Sequence, residues 1–343
     1  MSDVLQQVRR GPLFRLTGVR IAGTGSCVPE QVVTNEDLGR LGCDPEWIIQ
    51  RTGIRERRHA PPGVSTSHLA TGAARQAIAA ADVDPSQIDL LLLATFTPDR
   101  LLPQTATAVQ QQLGLECPAM DLVAACAGFM YALVTGAQFI ATGSCRNVLV
   151  IGADTNTRVL DPDDKKTFPL FGDGGGAVVL SAGSDEQGML AATLGADGSG
   201  ADLLTRRMGG VETPFHPGAT ADADGRVPWL MEMDGRPVFK WAVRLLEDTF
   251  EHVLTAADRD KDSVKLWLLH QANSRILDAA TDSMGVPRER VVKHLDRYGN
   301  TSAGSIPIAL DESFRAGQVM AGDELLMCGF GAGLSWGTAL WKW

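Results

Sequence analysis

Cys126, His270 and Asn300 are the side chains whose types and settings in this sequence point to covalent chemistry. Cys126 sits inside Ala119–Gly143, AMDLVAACAGFMYALVTGAQFIATG. This stretch passes from a short apolar run at Met120–Val123 into residues free of charge and proline up to Gly143. A helix beginning at Cys126 would place its sulfur in the first turn, where free N–H groups and the positive end of the dipole favour a thiolate nucleophile. Taken alone, the stretch also fits a structural cysteine in a small-residue packing run, because free cysteines are commonly buried. His270 follows the apolar run Val264–Leu269 and opens HQANSR. Asn300 stands in RYGNTSAGS, after Gly299 and before Thr301 and Ser302, which can cap a following helix. A histidine and an asparagine at strand ends are placed as active-site groups in layered α/β folds commonly are; each alone could also satisfy loop backbone. The glycine-rich GFGAGLSWG at 329–337 supplies N–H groups able to approach a reacting carbonyl.

The rest of the composition limits what such a site can serve. With 343 residues the chain can bury a large core in two domains or two similar halves. A 44% hydrophobic and 21% charged composition is that of a soluble globular protein. The apolar stretch nearest to a membrane span, Val123–Ala141, is interrupted by Thr, Gly and Gln and reads as a core helix, so no membrane insertion is expected. The N-terminal text has no apolar segment of secretory type. Cysteines at 27, 43, 117, 126, 145 and 328 show neither CxxC pairs nor framework spacing, which fits a cytoplasmic location and gives no zinc site; no metal is expected. A net charge of −10 without a basic block argues against nucleic-acid binding. It leaves room for an acidic protein partner, since screening over about 8 Å makes a local basic patch matter more than the total.

The elements that must position the three residues are legible in order. Residues 1–15 read as a mobile leader, and Arg15–Gly25 as a first strand running into a glycine turn. In DPEWIIQRTG, Asp44 is placed as N-cap with Pro45 at the first helical position, which puts Trp47 and Arg51 on one face as an aromatic plate beside a guanidinium. Ser65–Ala81 and Gln104–Leu113 read as helices, Ile88–Ala94 and Asn147–Gly152 as buried strands. GDGGGAVVLS at 172–181 precedes a strand instead of opening a helix, so it reads as close backbone packing and not as a nucleotide loop. Gly183–Pro228 is Gly-, Asp- and Thr-rich and reads as a loop-rich join. Then follow helices at Val238–Ala257, Ala272–Met284 and Ser302–Ala316, and strands at Val264–Leu269, Val291–Leu295, Asp323–Phe330 and Ser335–Trp343. Helices able to cover two sheets, plus one helix apolar all round, imply an α-β-α-β-α sandwich. Its halves are expected at 16–183 and 229–343, joined by 184–228.

Six separated motifs resemble the beta-ketoacyl-acyl-carrier-protein synthase III family of the thiolase superfamily: DPEWIIQRTGIRERR (44–58), AACAGFMYAL (124–133), FGDGGGA (171–177), LHQANSR (269–275), RYGNTSAGSIP (297–307) and GFGAGLSWG (329–337). They keep the family's order and spacing from about residue 16 onward. The resemblance implies a homodimer of five-layered thiolase-fold subunits and a two-step decarboxylative condensation. Cys126 would take the acyl group from an acyl-CoA. His270 and Asn300 would hold the thioester oxygen of malonyl-acyl-carrier protein while carbon dioxide leaves, and a 3-oxoacyl-carrier protein would be released. The oxyanion would sit on the backbone N–H groups of Cys126 and Ala332. No cofactor is implied, coenzyme A entering as part of the substrate. By the same resemblance, Trp47, Arg51, Thr52 and Lys165 would hold the nucleotide. Asn273 would hold the pantetheine arm, Phe171 and Phe330 would form the tunnel around the thiol, and Gly235 and Phe239 would join the residues that bind the substrate and its CoA. Lys240 and Arg275 would meet the carrier protein, and Leu102 would reach the acyl pocket across the dimer.

Five positions depart from the family pattern, the first being Ala332, which stands for the family's oxyanion-hole glycine and constrains the turn while keeping the amide. Lys165 replaces a stacking arginine, and lysine carries charge without a planar face. Leu102 stands where a phenylalanine is often found, and Asp282 and Ser283 occupy positions that are basic in some relatives. Two other readings stay open on these residues: a related condensing enzyme or acyltransferase of a secondary-metabolite pathway using acyl-CoA substrates, and a non-catalytic thiolase-fold scaffold. A degradative thiolase would show a second cysteine near the C-terminal glycine turn. Cys328 lies there, but the asparagine of GNTSA favours the decarboxylating branch.

Overall fold

Leu90–Ala94, LLLLA, shows how the core is layered. Side chains alternate across a strand, so Leu90, Leu92 and Ala94 enter one core cluster while Leu91 and Leu93 enter another. The computed structural model describes residues 10–221 and 227–343. In chain order, the first part holds strands β1 (Leu13–Thr17), β2 (Val19–Cys27) and β3 (Val32–Thr34), helix α1 (Pro45–Thr52), β4 (Glu56–Arg58) and α2 (Thr66–Ala81). It continues with β5 (Leu90–Ala94), α3 (Thr105–Leu113), β6 (Ala119–Leu122), α4 (Gly128–Ala141), β7 (Asn147–Asp154) and β8 (Gly174–Ala182). Then come β9 (Gly188–Ala196), β10 (Leu204–Thr205), β11 (Glu232–Met233), α5 (Gly235–Ala256), β12 (Val264–Leu269) and α6 (Ser274–Ser283). The chain closes with α7 (Leu295–Tyr298), α8 (Ser305–Arg315), β13 (Glu324–Gly331) and β14 (Ser335–Lys342).

Two five-stranded sheets, ordered β2-β8-β7-β5-β6 and β1-β9-β14-β13-β12, face each other across α4 and α8. Helices α2 and α3 cover the outer face of the first sheet, and α5 and α6 the outer face of the second. This is the five-layered thiolase fold expected from the sequence. Helix α4 is the one read as apolar all round, and it lies in the central layer with Phe129, Met130 and Leu133 fully buried. Burying each of these stabilises the fold by about 1.5–3 kcal/mol. Gly136 is required there: a Cβ would come within 2.9 Å of Val150 on β7.

Four spans differ from expectation. Residues 1–9 of the expected leader lie outside the described residues, but Leu13–Thr17 is β1, and Arg10 is anchored to Asp248 on α5 at 2.7 Å. Gly18, at φ +81, turns the chain from β1 in the second sheet to β2 in the first, so the single strand expected at 15–25 is two strands in different sheets. The expected loop-rich join contains β9, a strand paired on both sides with β1 and β14. Its GMLAATLGA text has little β-propensity because it must be thin: a Cβ on Gly195 would lie 2.3 Å from the Trp336 ring. Finally, Val291–Leu295 is no strand. Only Val291 bridges to Trp267, and the backbone then turns into α7 to carry Asn300 inward.

Candidate active site

Cys126 lies in a one-turn 3-10 segment, Ala125–Ala127, that leads from β6 into α4. Ala125 before it holds φ +45, a left-handed conformation that a non-glycine residue adopts only when its surroundings enforce it. His270 follows the last residue of β12, its N–H bonded to Cys328 O of β13 at 2.8 Å. Asn300 is fixed through its backbone: its N–H reaches Leu170 O at 2.8 Å, and its carbonyl accepts from Gly172 N–H at 3.0 Å. The GDGGG glycines make this approach possible, since a Cβ on Gly172 would lie 2.1 Å from Tyr298 O. The reading of that motif as close packing agrees with the structure.

The three side chains line one cavity of about 170 Å³, together with Phe171, Phe330, Gly235, Phe239 and Asn273. Every inner-pocket residue expected from the sequence is therefore at this site except Ala332. In the C-terminal turn the residue against Cys126 is Gly331, where a Cβ would meet Cys126 N and Cβ at 2.9 Å; Ala332 follows it, its side chain outside the cavity wall. Cys328 faces the other way, into the core beneath α5, while Gly329 faces Cys126 O.

Burial pushes the Cys126 thiol up to about 12; a nearby Ser302 hydroxyl draws it down and the Asp154 carboxylate raises it further. Desolvation by burial outweighs the favour that the helix terminus gives the thiolate. Asp154 is fully buried and accepts bonds from Thr95 Oγ1, Phe96 N, Thr97 N and Thr97 Oγ1 at 2.8–3.1 Å, and from Ala303 N at 3.2 Å. Ser302, at φ +52, points its N–H at Asn300 Oδ1 (2.8 Å), which leaves the Nδ2 donor of Asn300 for a ligand. Ser302 Oγ is buried without a well-formed hydrogen bond, yet lies near enough to Cys126 and Asp154 to lower both pKa values. Burial, with a smaller contribution from His294, holds His270 down at about 3, so its ring is neutral at physiological pH. Its Nδ1 meets Ser305 Oγ at 2.8 Å and its ring stands edge-on to Phe330 with centroids 5.1 Å apart.

Outside this chamber lies a second hollow of about 480 Å³, lined by Trp47, Arg51, Thr52, Lys165, Lys166 and Arg236. It shares Leu170, Met233 and Gly235 with the inner cavity, so one passage runs from the cationic mouth to the thiol. Trp47 is 46% exposed with the Arg51 guanidinium 5.7 Å from its ring, as its place four residues earlier on α1 requires. Thr52 spends its hydroxyl on Ile48 O (2.7 Å) and Ile54 N (3.0 Å) and serves as wall. Asn273 caps α6 through Arg275 N and donates to Arg51 O at 3.2 Å, tying α6 to α1. Lys240 and Arg275 are exposed, and Arg275 lies over the Phe239 ring at 5.8 Å. Asp282 is paired with Arg288 at 2.9 Å. Leu102 is 84% exposed on the loop beside edge strand β6, away from this chain's own cavity. Sequence reasoning missed Lys166, Arg236, Asp154 and Ser305; the Lys165-Lys166 doublet was the one local signal among them. A larger groove of about 580 Å³ at the far ends of β12 and β13, around Lys265, Glu289 and Asp323, contains none of Cys126, His270 and Asn300.

Comparison with known proteins gives the same answer from the whole chain. The family described as 3-oxoacyl-[acyl-carrier-protein (ACP)] synthase III matches residues 120–198, and its C-terminal part matches residues 254–343. A beta-ketoacyl-[acyl-carrier-protein] synthase III of Rhodopirellula baltica is 52% identical, with 96% of this chain and 99% of the relative covered. The crystal structure of a 3-oxoacyl-[acyl-carrier-protein] synthase III from Aquifex aeolicus superposes with a TM-score of 0.86 at 41% identity, covering 95% of this chain and 100% of the other. The priming beta-ketosynthase of the R1128 polyketide pathway superposes with a TM-score of 0.87 at 35% identity, covering 98% of each chain.

Proposed function

The chain belongs to the beta-ketoacyl-[acyl-carrier-protein] synthase III family, and on that premise we propose how its residues divide the reaction. The enzyme condenses an acyl-CoA with malonyl-acyl-carrier protein and so starts fatty acid synthesis. The observation that carries the assignment of roles is the convergence of Cys126, His270 and Asn300 at the inner end of a passage with a cationic mouth.

Acyl-CoA enters with its nucleotide at Trp47, Arg51, Lys165, Lys166 and Arg236 and its thioester at Cys126. The sulfur attacks the carbonyl, and the oxyanion is held by the N–H of Cys126 and by the Ala332 amide, which follows directly on Gly331 against Cys126 although the Ala332 side chain lies outside the cavity. The carbon–sulfur bond to CoA then breaks. The proton of Cys126 ends on the CoA sulfur, so this half is proton-neutral. Malonyl-carrier protein follows, docked at Lys240 and Arg275. Carbon dioxide leaves, and its bonding electrons pass into an enolate whose oxygen accepts from His270 Nε2 and Asn300 Nδ2. The enolate carbon attacks the acyl group and expels the Cys126 thiolate, which takes one proton from water. These steps use only side chains, backbone N–H groups and the two thioesters. The apolar residues beside edge strand β6 pair with a second copy, making the enzyme a homodimer in the cytoplasm. Among the described residues no helix is long and apolar enough to cross a membrane.

The experiment separates the half-reactions. Cys126→Ala loses the acyl-enzyme, seen by intact mass, and keeps decarboxylation of malonyl-carrier protein. His270→Ala and Asn300→Ala still acylate, while decarboxylation falls roughly 100- to 1000-fold, the usual effect of losing one such donor. Complete loss of acylation in folded His270→Ala would make His270 the obligatory base for Cys126 and sink this division.

A further inference from the structure

Resting on the reading of His270 as a donor to the malonyl thioester, the next question is what holds its proton on the correct nitrogen. A neutral imidazole has one N–H, and only the Nε2–H form can donate into the cavity; the Nδ1–H form presents a bare lone pair there. The choice is made on the far side of the ring.

Ser305, the first residue of α8, is fully buried with its Oγ 2.8 Å from His270 Nδ1. The hydroxyl has one proton and two acceptors within reach, Nδ1 and Ser302 O, the latter at 2.9 Å. Ser302 O already accepts the backbone N–H of Ser305, so it is not orphaned without the hydroxyl. Gln271 N–H approaches Oγ from another side at 3.4 Å and occupies a lone pair. The serine is also rigidly set. Its carbonyl accepts from His294 Nε2 at 2.9 Å, and Gln271, which accepts from His294 N, binds Leu269 O and Val292 O. We propose that Ser305 is a positioning residue whose hydroxyl donates to Nδ1 and thereby keeps the His270 proton on Nε2, facing the substrate.

The consequence runs against intuition for a residue buried beside the site. Removing the hydroxyl leaves the Ser302 carbonyl, which interacts with the His270 ring and can only accept, as the ring's nearest polar neighbour on that side. The ring proton then moves to Nδ1, and Nε2 becomes a lone pair aimed at an oxygen that is gaining negative charge. Decarboxylation suffers while transfer of the acyl group to Cys126, which needs no His270 donor, does not. A residue that merely supports the fold would weaken both.

The test is the tautomer itself. The chain has six histidines, so a long-range proton–nitrogen correlation on protein labelled with 15N-histidine is simple, and His270→Ala identifies the ring. The wild type should show the Nε2–H pattern and Ser305→Ala the Nδ1–H pattern. Decarboxylation of malonyl-carrier protein by Ser305→Ala should fall about 100-fold, as for loss of one donor. Its acyl-enzyme formation should stay within a few-fold of wild type and also reports correct folding. Ser305→Thr, which retains a hydroxyl, should restore the Nε2–H pattern. An Nδ1–H ring in the wild type, or an Nε2–H ring in Ser305→Ala, would overturn the proposal, the first without any variant. If the tautomer shifts but decarboxylation stands, Ser305 keeps its assignment and it is the donor role of His270 that fails.

Discussion

Trp47 and Lys165 flank the same hollow, and in the proposed role they would hold a nucleotide by different physics. Trp47 offers an exposed indole face beside the Arg51 guanidinium. A base stacked on such a face is worth about 1–3 kcal/mol, or roughly 5- to 150-fold in affinity, and salt barely changes it. Lys165 is an exposed ammonium with no plane to offer, so its attraction to a phosphate is screened by salt. The planar group missing at 165 has a structural substitute, because Arg236 at the start of α5 enters the same wall. Trp47→Ala should therefore raise KM for acyl-CoA more than Lys165→Ala does, and the Lys165 effect should shrink from low to high salt while the Trp47 effect persists. Steady-state kinetics at two ionic strengths decide it. Equal losses that ignore salt would contradict the assignment.

At the level of elements, the site is a meeting of four segment ends: the turn before α4, the end of β12, the 300–303 loop and the turn after β13. Asp154, at the end of β7, binds Thr95–Thr97 after β5 and Ala303 near Asn300, so one buried carboxylate ties two strand ends to the loop that carries Asn300. Asn at 154 would keep one acceptor oxygen and turn an NH2 toward N–H donors, at a cost of about 1–3 kcal/mol for the unmet group. It would also remove the negative charge that raises the Cys126 thiol. Asp154→Asn should thus lower Tm and shift the pH profile of Cys126 alkylation to lower pH; an unchanged or upward shift would show that the carboxylate does not act on the thiol. This node also marks the limit of what could be read beforehand. Cys126, His270 and Asn300 were legible as a set because each stands in one of the six motifs that resemble the family's, with His270 alone also marking the end of an apolar strand run, and α1 because Asp44 and Pro45 announce its start. Asp154 merely ends the apolar text NVLVIGAD, and its role depends on donors 57 to 149 residues away in sequence. For the same reason β9 was illegible: Gly195 is set by Trp336 from a distant strand, and local propensity points elsewhere.

At the scale of the whole molecule, one edge remains to be accounted for. β6 is a terminal strand of the first sheet, and an open edge with apolar neighbours is a pairing site unless it is covered. Met120 and Val123 are 37% and 76% exposed along it, and Leu101 and Leu102 are 80% and 84% exposed on the adjoining loop. Pairing of this edge with its copy about a twofold axis would extend the first sheet through both subunits and cover these four side chains, in agreement with the homodimer proposed above. The subunit mass is 36.5 kDa, so light scattering should return twice that value, and Val123→Lys should shift it toward the monomer by placing charges opposite each other. In that arrangement Leu102 reaches the partner's acyl pocket, where it leaves more room than the phenylalanine often found in the family. Each further methylene that finds space adds about 0.8 kcal/mol of binding. Butyryl- and octanoyl-CoA should therefore acylate Cys126 as well as acetyl-CoA does, and Leu102→Phe should suppress the longer primers while sparing acetyl. Intact-mass kinetics with the three thioesters settle the matter. Reaction with acetyl-CoA alone, together with a Leu102→Phe variant that behaves as wild type, would place the limit on chain length somewhere other than residue 102.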